Sequence, residues 1–556
     1  MKRIIAVLLV FACFLPLAAC GQRVSNVNDP NEKADATKSQ IIIEVFDAGY
    51  GSAWVSSMAT AFEELYADTV FEEGKKGVQV MVRPNLTTAS GESLINYINK
   101  SETDIYVTQT VAYYDYVNSG FLMDLTDAYT TPLTEYGENK SVLDKMYEDT
   151  KDYLLTDDGK IYAVPQLQSY NGIIYDVDVF ETYCLYFAAD ANNGNDGFVL
   201  SAEEELSAGP DGKKGTVDDG LPATYDDFYK LCGRMMQVGV APILWSGEYS
   251  KLQTMYLLSA LRADYSGSDF INSFSFQGEV DDIVTGFNGN EPILTKATLT
   301  PATGYLTTQQ AGWYYALEFV EKIVDNKYYS SKGCFDLTYS HTNAQKDFIE
   351  GYLKNEPVGM LLDGTWWENE ATKSGAFDKS AATYGEAGSK NGRKLGFMPM
   401  PKAPGQEASP ATIPMVTEPL VLVNAGSESK REMLEQFVRY MFCDESLQRF
   451  TRETGMLTGV QYTPTEEDYA NMSYYQKQLW QLRSESNPVY VSNKGSIYSH
   501  AYSTFRIDAA WIGGPNGMYD NPVSAFKDGM SAKEYFEGMA VNADTWQGKY
   551  GVYIEN

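Results

Sequence analysis

The sequence from residue 41 to residue 54 is IIIEVFDAGYGSAW, which has the order of a strand, a glycine-rich loop and the start of a helix. Ile41–Phe46 is an apolar run of strand length, and Gly49 and Gly51 lie in the loop after it. Similar patterns follow, with a helix around 54–71, a strand at 78–82, a helix around 92–99 and a strand at 104–107. Strands that alternate with helices predict βαβ units and a parallel sheet. Ligands bind beyond the carboxyl ends of such strands, so we expect the loop to face a cleft.

The length and the charge of the chain restrict its architecture and its partners. It has 556 residues and a mass of 61.9 kDa. Single hydrophobic cores stop growing at roughly 250–300 residues, so we expect two lobes or domains. The 75 acidic and 43 basic residues give a formal net charge of −32, which repels nucleic acid. The 41 tyrosines, against 25 phenylalanines, favour polar, ring-shaped ligands, because a tyrosine joins an apolar ring to a hydrogen-bonding tip.

The N-terminus has the features of a secretory signal peptide. Lys2 and Arg3 precede an apolar run, and the small-residue sequence Leu-Ala-Ala-Cys ends at Cys20. This ending resembles the lipobox of bacterial lipoproteins, which implies cleavage after residue 19 and a lipid anchor on Cys20. An ordinary signal peptide with an incidental cysteine is the alternative. We expect residues 20–39 to be a flexible tether at the extracellular face of the membrane of a Gram-positive-type bacterium. No later segment has the ~18 uninterrupted apolar residues of a membrane span.

The remaining cysteines and the histidines carry no recognisable metal or catalytic pattern. Beyond Cys13 and Cys20, the chain has four cysteines without metal-ligand spacing: Cys184, Cys232, Cys334 and Cys443. The spacing leaves a Cys184–Cys232 bridge open, but we expect buried free thiols. The two histidines, His341 and His500, lie in no zinc-hydrolase motif, which disfavours zinc hydrolysis.

Several segments, in a fixed order, resemble motifs of one protein family. Residues 160–180 have the sequence KIYAVPQLQSYNGIIYDVDVF. Four further matches are PATYDDF at 222–228, EPVGMLLDGTWW at 356–367, LGFMPMP at 395–401 and PLVLVN at 419–424. Together they resemble the extracellular solute-binding proteins of ABC transporters, family 1, in the maltose-binding-protein-like, sugar-binding group. Each match is weak alone, but their joint order makes chance agreement improbable.

The resemblance implies a periplasmic-binding-protein-like α/β fold and a monomer. Two lobes, each with a central β-sheet flanked by helices, would be joined by a hinge with several chain crossings. The implied N-lobe comprises residues 40–168 and 418–460. The implied C-lobe comprises residues 169–416 and 463–556, with inserts at about 184–222 and 262–305.

A sugar site would combine aromatic walls with a few polar groups, because pyranose rings expose apolar C–H faces and hydroxyls. In the family the ligand lies between the lobes. The resemblance and the strand ends then give these candidate ligand-binding residues: Asp47, Tyr50, Trp54, Gln109, Tyr113, Tyr170, Asn171, Trp366, Trp367, Glu418 and Arg506. For the tryptophans and tyrosines, core packing is the alternative.

Two acidic loops in the first insert are candidates for structural calcium. Hard oxygen ligands on glycine-bent turns suit Ca²⁺, and the candidates are Asp196, Glu203, Asp211, Asp218 and Asp219. The alternative is a solvated polar hairpin in which Asp and Gly serve the turn geometry. We expect no other cofactor.

The function implied by the resemblance is binding rather than catalysis. The chain would capture a carbohydrate and deliver it to the permease subunits of an ABC importer. Its negative charge favours a neutral oligosaccharide over an anion. One alternative is a surface-anchored glycoside hydrolase, which needs two carboxylates about 5–9.5 Å apart across a cleft. Another is a sensory or adhesion lipoprotein on the same fold, without transport.

Overall fold

The computed structural model of the chain describes residues 33–86, 91–108, 113–490, 519 and 521–554. The predicted signal peptide and Cys20 lie outside these residues, as do Gln109 and Arg506. In the described ranges the strands form a seven-stranded sheet, a four-stranded sheet and a separate two-stranded hairpin. No helix in this part of the chain has the length and apolar character needed to cross a membrane.

The strands are numbered here in chain order. They are β1 (Ser39–Val45), β2 (Val78–Arg83), β3 (Ile105–Thr108), β4 (Ala163–Ser169), β5 (Asn171–Asp176), β6 (Ala241–Leu244), β7 (Gly278–Asn288), β8 (Glu291–Leu299), β9 (Val358–Gly364), β10 (Leu395–Met398), β11 (Thr412–Val423), β12 (Leu457–Thr458) and β13 (Asn487–Tyr490). The larger sheet has the order β12-β4-β11-β3-β1-β2, with β13 paired to β11. The smaller sheet has the order β10-β5-β9-β6, and β7 pairs with β8.

Both sheets are mixed, and the predicted parallel pairing holds for the first three strands, whereas β11 pairs antiparallel with β3 and β4. Strand β1 pairs in parallel with β2 and β3, and its residues Ile41, Ile43 and Val45 are fully buried. The predicted helix at 54–71 is shorter in the structure, where it covers Ala53–Leu65. Phe62 is the last buried residue of this helix, and a hydrogen bond from Gly77 N to Thr69 O then turns the chain back toward β2.

Helices cover both sheets and divide between two hydrophobic cores. Around the larger sheet they are Ala53–Leu65, Gly91–Ile98, Tyr113–Ser119, Thr126–Thr130, Val142–Lys145, Glu148–Leu154, Arg431–Met441, Asp444–Thr454 and Glu466–Asn471. Around the smaller sheet and the hairpin they are Val177–Tyr183, Tyr225–Gln237, Ser250–Ser266, Asn272–Ser275, Ala311–Asp325, His341–Gly351, Trp367–Lys373, Ala376–Tyr384, Tyr474–Glu485, Pro522–Lys527, Ala532–Met539 and Ala543–Ile554. Each sheet with its helices forms one lobe, so the two-lobed α/β fold is confirmed. We call them the N-lobe and the C-lobe.

The chain passes between the lobes more than once. Strand β4 ends in the N-lobe sheet at Ser169, and β5 begins in the C-lobe sheet at Asn171. Strand β11 starts against β13 and continues into the N-lobe sheet between β4 and β3. These strands form the connection about which the lobes can bend.

A side-chain network ties the connecting strands together. The Gln168 amide donates a hydrogen bond of 2.6 Å to the Tyr490 hydroxyl. Arg483 donates to the Gln168 side-chain oxygen at 3.1 Å and to the Tyr490 hydroxyl at 3.1 Å. The network therefore links β4, β13 and the helix Tyr474–Glu485 at the hinge.

The cysteines of the described residues are free thiols, and Cys184 and Cys232 do not form a bridge. Cys232, Cys334 and Cys443 are buried, whereas Cys184 is partly exposed. Burial raises the pKa of the Cys443 thiol to about 11, so this thiol stays protonated at neutral pH.

Candidate functional site

The two lobes touch where two strand ends face each other. The loop after β1, residues 46–52, comes from the N-lobe. The turn and helix after β9, residues 365–373, come from the C-lobe. Both segments follow the carboxyl ends of their strands, which is where α/β sheets carry ligands.

Trp366 lies between two glycines, one from each lobe. A Cβ atom added to Gly49 would lie 2.3 Å from Cδ1 of Trp366, and one added to Gly364 would lie 2.4 Å from its Cη2. Neither distance can be tolerated, so both positions need glycine for the indole to fit. The ring is partly buried against the N-lobe core, and the Tyr256 ring meets it edge-on at 5.8 Å between centroids.

Polar contacts extend the same interface along the helix Trp367–Lys373. The Asn369 amide donates a hydrogen bond of 3.1 Å to the Gly49 carbonyl oxygen. The Lys373 ammonium lies 2.5 Å from Asp47 Oδ2, and both side chains remain partly exposed. Residues 366, 369 and 373 share one helical face, because they are spaced by three and four positions.

A stripe on the helix Ser250–Ser266 carries large side chains at its surface. Tyr249, which precedes this helix, is 39% exposed, and Leu252 is 38% exposed. Tyr256 follows at the same helical spacing and is partly exposed. Because Tyr256 contacts Trp366, this stripe continues the aromatic surface of the C-lobe beside the lobe contact.

A polar cluster supports Trp366 from inside the C-lobe. The Gln345 amide donates to Asp363 Oδ2 at 3.0 Å and to Glu370 Oε2 at 2.7 Å. The Gly364 N–H donates to Asp363 Oδ1 at 2.8 Å, and His341 Nε2 lies 3.5 Å from Glu370 Oε1. These bonds fix the turn between β9 and the following helix.

The cluster perturbs the ionisation of its members. Burial, assisted by the nearby negative charge of Glu370, raises the pKa of Asp363 to about 7. The hydrogen bond to Glu370 raises the pKa of His341, although burial opposes this shift. Burial alone would raise the pKa of Glu370, but the hydrogen bonds from His341 and Gln345 outweigh it and lower that pKa. The carboxyl of Asp363 is therefore partly protonated near neutral pH.

Five of the six predicted aromatic ligand-binding residues pack in the cores, and one of them is Tyr50 of the N-lobe core. Trp54 is buried against Phe450 and donates to the Gly51 carbonyl oxygen. The Tyr113 hydroxyl donates to Leu154 O and accepts from Tyr162 N. The other two are fully buried in the C-lobe core, Tyr170 against Phe397 and Trp367 against Tyr475 and Phe348. Their packing matches the alternative that the sequence left open, and a ligand-binding role for them stays a prediction.

The other predicted residues lie in different settings. Asp47 and Trp366 meet at the lobe contact, and Tyr50 is buried in the loop beside them. Asn171 is partly exposed, and its backbone pairs with Gly364. Within the described part of the chain its buried side-chain oxygen has no hydrogen-bond partner. Glu418 pairs through its backbone with Leu167 of β4, and its side chain is not among the described parts of the structure.

The acidic residues of the first insert mainly serve turns. Asp218 is buried, accepts from Asp211 N at 2.9 Å and from the Thr216 hydroxyl at 2.7 Å, and burial raises its pKa to about 6. Asp219 accepts from Gly215 N at 2.8 Å. Asp196 and Glu203 are exposed. Among the described residues no three His, Cys, Asp or Glu side chains lie close enough to hold a metal ion. Calcium binding by the first insert stays a prediction.

Sequence reasoning missed Tyr249, Tyr256, Asn369 and Lys373. The spacing of Asn369 and Lys373 from Trp366 was a usable signal, since it puts all three on one helical face. The two tyrosines had the same kind of signal, because they lie seven positions apart at the start of a helix.

Comparison with known proteins identifies the family. A family model described as bacterial extracellular solute-binding protein matches residues 55–446, which is more than half of the chain. The chain belongs to this family. Solute-binding proteins bind their substrates and are not enzymes. A search of curated proteins found no match.

Solved structures share the fold of this solute-binding protein at low sequence identity. A chitin oligosaccharide binding protein is 14% identical with a TM-score of 0.52, covering 90% of this chain and 95% of its own. The solute-binding protein RafE in complex with raffinose is 14% identical with a TM-score of 0.51, covering 91% and 100%. A protein from a study of xylan utilization by Caldanaerobius polysaccharolyticus is 12% identical with a TM-score of 0.54, covering 90% and 99%. At these identities the similarity shows the fold alone.

Proposed function

We propose that this solute-binding protein captures a neutral oligosaccharide between its lobes and delivers it to the permease of an ABC importer. One observation carries the proposal: an aromatic pair, Trp366 and Tyr256, lies at the contact between the two lobes. Aromatic faces stack on the C–H faces of pyranose rings, and the neighbouring side chains of Asp47 and Asn369 can accept or donate hydrogen bonds to sugar hydroxyls.

The neighbours in structure support a sugar as the ligand. Three of them are a chitin oligosaccharide binding protein, a complex with raffinose and a protein from a study of xylan utilization. The net charge of −32 favours a neutral sugar over an anionic ligand, because the protein provides no attractive field for anions.

Capture would proceed by bending at the connecting strands. When the lobes separate, Trp366 leaves Gly49 and its face becomes available to a sugar ring. Closure would then bring Asp47 and Asn369 toward the bound sugar. The closed form would be recognised by the permease.

The cellular setting of this proposal follows from the N-terminus. Lipidation of Cys20 and a tether through residue 39 would hold a monomer at the extracellular face of the membrane, within reach of the permease. Structural calcium in the first insert belongs to the same proposal and requires no catalytic role.

Thermal-shift screening of neutral oligosaccharides tests the proposal. A ligand at a hundredfold its Kd adds about 2.7 kcal/mol of stability, which a melting curve detects. A matched pair of variants then assigns the site. Trp366→Ala should reduce the shift clearly, and Tyr469→Ala, which replaces an exposed tyrosine on the helix Glu466–Asn471, should keep it. If reducing ends accumulate when the chain is incubated with oligosaccharides, the alternative of a glycoside hydrolase is favoured instead.

A further inference from the structure

We propose that five residues form a clasp that holds the two lobes shut through direct protein contacts. These residues, the lobe clasp, are Asp47 and Gly49 of the N-lobe and Trp366, Asn369 and Lys373 of the C-lobe. The clasp gives the chain a closed conformation whose stability does not depend on a solute bridging the lobes. Its biological role rests on the proposed function, because closure regulates uptake only if the cleft takes a solute.

The first argument is that each contact joins an atom of one lobe to an atom of the other. The Asn369 amide reaches the Gly49 carbonyl oxygen at 3.1 Å, and the Lys373 ammonium reaches Asp47 at 2.5 Å. Trp366 packs against Gly49 at the same point. Packing, a hydrogen bond and an ion pair therefore act together across one interface.

The second argument is the position of the clasp relative to the hinge. Asp47 follows β1, which in the N-lobe sheet lies two strands from the connecting strand β11 and three from the connecting strand β4. At about 4.8 Å per strand these separations are about 10 and 14 Å. Bending at the hinge displaces a point at this distance, so the clasp contacts break when the lobes open.

The third argument is the close approach at Gly49. Its backbone does not have the positive φ that favours glycine, so an alanine there would adopt the same conformation without strain. The added methyl group would nevertheless overlap the Trp366 ring, which lies 2.3 Å from the Cβ position. Gly49→Ala therefore blocks the closed contact without disturbing the loop in the open form.

The clasp shifts the equilibrium between the open and closed forms of the free chain. A solute enters through the open form, so clasp contacts reduce the fraction of molecules that is ready to bind. Loss of the Asn369 hydrogen bond should lower the ratio of closed to open molecules by about two- to tenfold, the range expected for one net hydrogen bond. The partly exposed Lys373–Asp47 pair should contribute less.

Small-angle X-ray scattering of the full mature chain tests the proposal after denaturation and refolding have removed any carried-over solute. Gly49→Ala should enlarge the radius of gyration and speed amide exchange in the helix Trp367–Lys373. Gly286→Ala is the matched control, because a Cβ at Gly286 meets no atom within 4 Å and its φ is not positive. In a Trp366→Ala background, Gly49→Ala should have no further effect, since the ring that it displaces is gone.

Asn369→Ala provides a second test that does not depend on a steric clash. It should also open the lobes, while Lys346→Ala on the neighbouring helix should not. If Gly49→Ala and Asn369→Ala both scatter like their controls, the clasp is refuted. If they open the lobes but the wild-type chain binds none of the screened sugars, the clasp holds and the proposed function fails. If the sugars bind and the lobes of both variants stay as in wild type, the clasp proposal fails and the proposed function stands.

Discussion

Replacing Lys402 should destabilise the C-lobe strongly at neutral pH. Lys402 and Asp264 form an ion pair of 2.6 Å, and each side chain is only 2% exposed. The Lys402 ammonium also donates to Pro410 O at 3.0 Å, and Asp264 accepts from Thr412 N at 3.1 Å. The pair therefore fixes the start of β11, the strand that connects the lobes.

The magnitude follows from the charge that the substitution leaves behind. In Lys402→Met the side-chain length is kept, but the Asp264 carboxylate stays buried without its cation. Breaking a buried pair from one side costs about 3–5 kcal/mol. Burial already raises the pKa of Asp264 to about 6 against the opposing effect of Lys402, so protonation can relieve the unpaired charge. The loss should therefore be larger at pH 8 than at pH 5.

Urea unfolding at the two pH values measures the effect. The control is Lys402→Met/Asp264→Leu, in which both charges are absent and stability should recover substantially, because apolar replacement of a buried pair is often neutral. A loss below about 1 kcal/mol at pH 8, or a double variant as unstable as Lys402→Met, would refute the reasoning.

Three further predictions concern the polar cluster, the hinge and the acidic insert. Burial raises the pKa of Asp363 to about 7, so between about pH 4 and pH 7 the folded form keeps a proton that the unfolded chain loses, and the free energy of unfolding falls as the pH rises. Asp363→Asn should flatten the fall in melting temperature across that window, and an unchanged slope would contradict this prediction. Tyr490→Phe removes the hydroxyl that accepts from Gln168 and Arg483 and should cost about 1–3 kcal/mol in urea unfolding, whereas a neutral result would show that the network does not hold the hinge. Calorimetry on chelator-treated protein should detect calcium uptake that Asp218→Asn weakens, and absence of uptake by the wild-type chain would end the calcium prediction.

The sequence was sufficient for the first strands of the fold because their signals are local. The apolar run at 41–46 and the glycine-rich loop after it decide the strand, the turn and the parallel pairing of β1. The length of the first helix was overestimated, because Tyr66 and Phe71 continue its apolar pattern while the chain already turns toward β2. Ordered motifs, rather than any single one, were needed to infer the two-lobed arrangement.

The site was harder to predict because it depends on side-chain direction. Trp366 and Trp367 are adjacent, yet the first meets Gly49 of the other lobe and the second packs on Tyr475 in the core. Nothing in the local sequence separates them, because the turn geometry after β9 decides which ring leaves the sheet. Tyr170 lies at the chain crossing as expected, but its side chain points into the C-lobe core.

Titration calorimetry of the mature chain with neutral oligosaccharides tests the central claim most directly. The panel should contain raffinose, chitin oligosaccharides and xylo-oligosaccharides. We predict saturable binding of at least one neutral sugar with a stoichiometry of about one, as expected for a single cleft between the lobes. Affinity should be at least about tenfold weaker in Trp366→Ala, which corresponds to about 1.4 kcal/mol. No heat with any neutral sugar, or equal affinity in wild type and Trp366→Ala, would contradict the account.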